Sequence, residues 1–456
     1  MDISHLDEHQ ELALALYRQR KGLLEKNWVD SRILESVESR LRAHLFVLSH
    51  YVDKEEEMPD AEHEVFIFLA RRILAFSEET QALAWNIAID CLLEPGAKAE
   101  GASTALVLFS MHEKHSKLLE EAYQEKQELR AAILDIWQKT DALVSSEIIR
   151  QSDLLSLPKE HQSAIVNYAA HRKEYNTDYF QNYYMSIING QGEVHLHLLE
   201  AAIFAGLVRG DNNARTALLR GIEQYPDTEV QLRLLRLAAL TGSPELLGVL
   251  EAYTRSSPEE GYYLLALHGN KAAVPVILEG LKQASQIEDA EKGWLLLTNF
   301  SLPQIARMYL ASDSNDDDYD DEIFELDDEF AEDDESDTVA DVAVAMQWWK
   351  ENREHWPEEE RRLKGQAVPE SGLASLATLT SGQVGRDLLD ALSLELKAPL
   401  RDSSAIWFEQ RKQFLQEYSN GDEGSDLTMA SNRQVSKPEP GHKRPPAVGR
   451  PYARAR

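Results

Sequence analysis

The side chains that could do chemistry are few and poorly grouped. His112-Glu113-Lys114-His115 sets two imidazoles at i and i+3, near enough on one helix face to share a metal. No third ligand accompanies them and the run is polar, so solvated histidines are the simpler account. His195 and His197, two residues apart, point to different sides of a helix and make no chelate. Asp316, Asp318 and Asp320 alternate like the start of a calcium loop. The sixth position is Asp321 where glycine makes the turn, however, and the twelfth is Asp327 in place of a bidentate glutamate, so the loop fails. Cys91, the single cysteine, sits in an apolar run (Trp85 to Leu93) with no basic neighbour to lower its pKa, which reads as a buried structural thiol. No glycine-rich phosphate loop and no Gly-x-Ser-x-Gly elbow occurs. The expectation is a protein that is not an enzyme, with no catalytic residues, no cofactor and no metal.

Two stretches suit binding better than catalysis. Residues 313 to 337 hold 16 Asp or Glu and no Lys or Arg, interleaved with Tyr319, Ile323, Phe324, Leu326 and Phe330. Self-repulsion keeps such a run extended, as a solvated linker or as a short linear motif. In the second case, charge draws a basic surface and the apolar side chains anchor. Tyr319, Phe324 and Phe330 are the candidate anchors, together with Trp348 and Trp349 just beyond. The second stretch, Tyr168 to Tyr184, gathers Tyr168, Tyr175, Tyr179, Phe180, Tyr183 and Tyr184 around His171, Arg172 and Lys173. A packed helix explains it; a ligand pocket lined by His171 is the alternative.

The elements that must position these residues are helical. Leu237-Ala238-Ala239-Leu240-Thr241-Gly242-Ser243 and Leu264-Leu265-Ala266-Leu267-His268-Gly269-Asn270 are two copies of one device, their glycines 27 residues apart. Gly210 opens a third copy 32 residues before Gly242. Glycine takes the left-handed conformation that ends a helix, and Ser, Asn or Asp caps the next. Ser243-Pro244-Glu245 and Ser257-Pro258-Glu259-Glu260 add proline at the first helical position, and the second fits a capping box. Pro275, expected inside the following helix, predicts a kink. Units of about 27 to 32 residues cannot bury an apolar face alone and must stack, which predicts an α-solenoid.

Apolar residues at three- and four-residue steps predict paired helices over Leu12 to Leu48 and two central helices over Val65 to Phe76 and Ala82 to Leu93. Others are predicted at about 102–110, 115–138, 141–156, 370–378, 382–396 and 403–418. The tail combines seven Lys or Arg with one acid over residues 433 to 456, is rich in proline, and cannot bury enough apolar surface to order itself. The division expected is an N-terminal helical region (1–192), HEAT-like repeats (193–311), an acidic disordered linker (312–338), a C-terminal helical region (339–418) and a disordered basic tail (419–456). The formal net charge of −32 is twice what the acidic run supplies, so the rest of the chain is acidic too. Such a body is repelled by nucleic acid and anionic lipid and drawn to basic surfaces. No stretch approaches the roughly 18 consecutive apolar residues of a membrane span, and the acidic start has no signal-peptide pattern, so a cytoplasmic location is expected.

Arg40-Leu41-Arg42-Ala43-His44-Leu45, Trp294-Leu295-Leu296-Leu297-Thr298-Asn299 and Trp348-Trp349 after an acidic linker together resemble a family of bacterial HEAT-like repeat proteins, over most of residues 9 to 418. Asn299 stands where a glycine is expected. The resemblance implies an all-α, HEAT-like α-solenoid and a genetic context beside type VI secretion components, including spike and spike-tip proteins. The repeats are also similar to those of phycobilin-lyase-type HEAT proteins, a likeness of fold that carries no chromophore chemistry. The function expected is a protein–protein interaction scaffold or adaptor, assisting type VI secretion cargo or spike assembly, with a basic-surfaced protein partner and neither nucleic acid nor membrane insertion. The alternatives are a lyase-type or cofactor-handling HEAT-repeat enzyme and an acidic chaperone for a basic effector.

Overall fold

In a computed structural model of the chain, the structure describes residues 3–53, 55–109, 113–140, 158–190, 196–306, 338–358, 360–368 and 370–419. The fold is all-α. The N-terminal helices are α1 (Ile3–Glu25), α2 (Ser31–Ser49), α3 (Glu62–Ile73), α4 (Glu78–Cys91), α5 (Ala97–Phe109), α6 (Glu113–Glu125) and α7 (Arg130–Lys139). The chain continues through α8 (Lys159–Ala170), α9 (Asp178–Ile188), α10 (Leu196–Val208), α11 (Asn212–Gln224), α12 (Glu229–Thr241), α13 (Leu247–Ser256), α14 (Pro258–His268), α15 (Ala273–Gly280) and α16 (Ile287–Thr298). Beyond the acidic run lie α17 (Val342–Asn352), α18 (Glu370–Leu379), α19 (Gln383–Glu395) and α20 (Phe408–Ser419). The helix predicted over 141–156, the acidic run, the basic tail and His112 and His195 fall outside the described residues.

Between residues 158 and 298 the helices pack in two rows. α8, α10, α12, α14 and α16 pack in succession as one row, while α9, α11, α13 and α15 lie against them as the other. The row starts earlier than the glycine pattern suggested, because α3, α5, α7 and α8 pack in the same serial way. The units end as the sequence implied: Gly242 (φ 60°) and Gly269 (φ 75°) are left-handed C-caps of α12 and α14. Asn299 takes the same conformation (φ 55°) at the end of α16, so the departure from glycine keeps the cap. Asparagine tolerates that region better than most side chains. Two local expectations fail. Ser257 makes no side-chain capping bond, so the capping box does not form. Pro275 lies in the first turn of α15, where its missing amide had no helical partner to lose, and brings no penalty there.

The C-terminal segment returns over the others instead of extending the row. α19 packs along α12 and touches α10, and α20 packs on α18 and α2. Short antiparallel pairs fasten the return: β1 (Val29–Asp30) with β6 (Thr380–Ser381), β2 (Gln304–Ala306) with β3 (Thr338–Ala340), and the hairpin β4 (Arg362–Leu363) with β5 (Gln366–Ala367). Buried charges then lock it: Arg20 Nε donates to Glu38 at 2.7 Å, and the other Glu38 oxygen accepts from the backbone N–H of Phe408 at 2.6 Å. The described residues up to Ser419 belong to one compact unit. No helix among the described residues is long and apolar enough to cross a membrane.

Candidate functional site

The return of the C-terminal segment leaves a groove of about 700 Å³ along the row α12, α14 and α16. Leu232, Leu264, Leu295 and Leu296 supply apolar wall from the row, and Val384 of α19 and Trp28 close the other side. Repetition sets the polar positions. Arg236 and Tyr263 each stand six residues before the glycine cap of their helix, so stacking brings them to one level of the groove. Both reach the same acid on α19: the Arg236 Nε donates to Asp387 Oδ1 at 2.7 Å, and the Tyr263 hydroxyl donates to Asp387 Oδ2. Gln383 adds a bond to Asp387 Oδ1 at 3.0 Å, and a second Arg236 nitrogen reaches Asp390 at 2.7 Å.

This cluster is a satisfied one. Asp387 is fully buried, yet both oxygens are occupied. Burial alone would lower the Arg236 pKa, but the carboxylates of Asp387 and Asp390 outweigh it and raise the pKa. Tyr263 is pushed well above its ordinary value by burial and by Asp387 beside it. Such a group fixes where α19 sits and is poorly suited to exchanging protons.

The far end is built differently. Lys364 occupies the turn of the β4–β5 hairpin, with Lys364 (φ 52°) and Gly365 (φ 72°) both left-handed, as a two-residue hairpin of the primed type requires. The Lys364 amide donates to Leu296 O at 2.8 Å and the Gly365 amide to Leu297 O at 2.9 Å, so the hairpin satisfies open carbonyls at the end of α16. A Cβ at position 365 would lie 2.5 Å from Thr298 O, which explains glycine there. On the other side Gln383 N and Val384 N donate to Lys26 O and Asn27 O, holding the strand that carries Trp28. Lys364 lays its ammonium over the Trp28 ring, 3.0 Å from the centroid, and is 8% exposed. Burial lowers its pKa to about 8.

At the rim, Arg233 pairs with Glu200 and Glu229, and Lys292 with Asp289. Glu259 and Glu260, exposed at the start of α14, form no ion pair among the described residues.

Behind the Arg236 wall a polar chamber of about 190 Å³ is lined by His171, Arg386, Asp390, Arg401 and Asp402, among others. The His171 Nδ1 donates to Leu400 O at 2.8 Å. Asp402 is held below the usual carboxylate range: burial acts upward, but bonds from Ser404 and the nearby His171 and Lys139 prevail. His171 therefore does line a cavity. The tyrosines around it do not: Tyr168, Tyr175, Phe180 and Tyr184 are core, with Tyr168, Tyr175, Tyr179 and Phe180 in a chain of ring contacts 5.0–6.5 Å apart.

Of the partner-binding residues expected from the sequence, Tyr319, Phe324 and Phe330 lie outside the described residues. Trp348 and Trp349 have internal neighbours: Trp348 meets Trp294 edge-on at 5.2 Å and stacks on Phe300 at 5.9 Å, and Trp349 meets Trp356 at 5.9 Å. They seat α17 on the end of the row. Cys91 is buried beside Met58, and burial raises its thiol pKa. Among the described residues no three His, Cys, Asp or Glu side chains converge as metal ligands. The groove residues come from six separated stretches and leave no pattern in the sequence, although the shared position of Arg236 and Tyr263 before their glycines is a signal of their common level. Comparison with protein-family models, curated proteins and solved structures gives no match to this chain.

Proposed function

We propose that this protein is a non-catalytic interaction module, an adaptor, that docks a basic and partly apolar segment of a protein partner in the groove along α12, α14 and α16. The observation that carries this reading is the mismatch of charges around an apolar cleft. The rim cations are spent on neighbouring acids, whereas Glu259 and Glu260 are exposed and free of ion pairs among the described residues. A basic segment gains on-rate and orientation from such a rim, and apolar side chains then bury against Leu232, Leu264 and Leu295. The net charge of −32 steers the same class of partner and disfavours nucleic acid. The run around Tyr319, Phe324 and Phe330 would extend the encounter beyond the groove.

The resemblance to HEAT-like proteins encoded beside type VI secretion components supports a place for the adaptor in cargo loading or spike assembly, in the cytoplasm. The test is binding of fluorescein-labelled hexapeptide pools rich in Arg and Leu, measured by anisotropy. The double variant E259Q/E260Q is expected to weaken binding about tenfold, and unchanged binding would remove the groove from the account. A purely electrostatic grip, as in an acidic chaperone, would instead vanish by a few hundred millimolar salt.

A second reading has one observation on its side. His171 lines the chamber behind Arg236, as a cofactor-handling or lyase-type protein would require. A ligand-shift melt with a metal and cofactor panel decides it: a bound species with a His171→Gln-sensitive shift favours the enzyme.

A further inference from the structure

The geometry points to Lys364 as the group that receives the free C-terminal carboxylate of the docked segment, which makes the groove a reader of basic chain ends. This rests on the groove being a docking site and adds the polarity and the terminus of its ligand. Four cations line the groove, and three are committed: Arg233 to Glu200 and Glu229, Arg236 to Asp387 and Asp390, Lys292 to Asp289. Lys364 has no carboxylate within ion-pair distance among the described residues. The buried acid of the groove, Asp387, is saturated by Arg236, Tyr263 and Gln383.

The placement of this amine is specified from three sides. Its backbone occupies a left-handed position, uncommon for a residue with a side chain, and is pinned by Leu296 O and Leu297 O. It lines the groove beside Leu296, and its ammonium rests on Trp28, whose preceding residues Lys26 and Asn27 accept backbone bonds from Gln383 and Val384. An aromatic face offsets part of the cost of burying an ammonium and leaves the remaining N–H donors without an acid. A carboxylate completes the site; an amide or an alcohol brings no charge to it.

The source of that carboxylate follows from the rim. Glu259 and Glu260 repel a segment rich in acidic side chains, whereas a basic segment that ends in the groove carries its one negative charge at the terminus. Burial places the Lys364 pKa at about 8, so docking of the anion draws a proton onto the fraction of amine that is neutral near that pH.

Three hexapeptide pools rich in Arg and Leu test this: one with a free C-terminus, one amidated, and one amidated with an internal Glu. The free-acid pool is expected to bind at least tenfold tighter than the amidated pool, and calorimetry at pH 8 in phosphate and in Tris is expected to show proton uptake for the acid pool alone. K364M should bring acid and amide pools together and abolish the uptake, with its melting curve showing a folded protein. K364R, which keeps the charge, should retain a preference for the acid without the proton uptake. Equal binding of acid and amide pools, both weakened by E259Q/E260Q, overturns the role of Lys364 while the groove stands. An internal-Glu pool that matches the acid pool overturns the assignment to a chain end. Failure of every pool to bind at millimolar concentration overturns both the inference and the groove.

Discussion

Two cations sit in one groove under opposite conditions. Arg236 meets three carboxylates, those of Asp387, Asp390 and Glu200, and its principal acid, Asp387, is bonded three ways: to the arginine, to Tyr263 and to Gln383. Lys364 is 8% exposed and meets an indole ring. A buried charge that is fully paired resists change, because removing either partner strands the other. A buried charge without a counter-ion is costly as it stands and is relieved by any ligand that brings one. The contrast separates the structural end of the groove from the end left for a partner.

The largest effect expected is at the paired end. D387A takes from Arg236 its principal partner, leaving it Asp390 and Glu200, and leaves the Tyr263 hydroxyl without its acceptor; it should cost about 2 kcal/mol or more in urea unfolding. A loss below about 1 kcal/mol would mean that the cluster is solvated and does not lock α19.

A third buried base sharpens the comparison. His268, fully buried at the end of α14, has no acid partner among the described residues either; its Nε2 donates to Ser243 O at 2.9 Å and burial lowers its pKa to about 4. The folded pKa lies below that of the unfolded chain, so the unfolded state binds the proton first as pH falls. Stability is therefore complete above about pH 6.5 and falls towards pH 4, by about 1.4 kcal/mol per pH step. H268Q should flatten that slope in urea unfolding between pH 7 and 4.5.

Lys364 follows the same sign at higher pH. Its pKa of about 8 lies below the unfolded value, so its destabilising effect is full below pH 8 and fades as pH rises towards the unfolded value. K364M should therefore stabilise the protein at pH 7 by about 1 to 2 kcal/mol, the Trp28 contact offsetting part of the burial cost. The gain should shrink by pH 9.5. The smallest effect is at the rim, where E259Q/E260Q should alter stability by less than about 0.5 kcal/mol while weakening peptide binding.

The helix ends and starts are legible because their causes are local. Gly242, Gly269 and the prolines at 244 and 258 act within a turn of where they stand, and they sit in the structure where the pattern put them. Asn299 does the work of the glycine it replaces. Ser257 and Pro275 were misread because the exact register of a helix start depends on neighbouring packing. The groove was not legible for a different reason. Trp28, Tyr263, Lys364 and Asp387 are brought together by the β1–β6 pair, by the hairpin docking on α16 and by α19 crossing the row, long-range contacts that leave no periodicity. Trp348 and Trp349 drew attention by composition, and their partners Trp294, Phe300 and Trp356 show them at work in packing.

The most direct test of the account is the titration of the Lys364 amine itself, followed by pulse acetylation and mass spectrometry from pH 6.5 to 11. The account predicts a midpoint near pH 8 in the free protein and an upward shift when the free-acid peptide pool is bound. A midpoint at the ordinary lysine value of about 10.4, unmoved by the peptides, would show a solvated or already partnered amine and would contradict it.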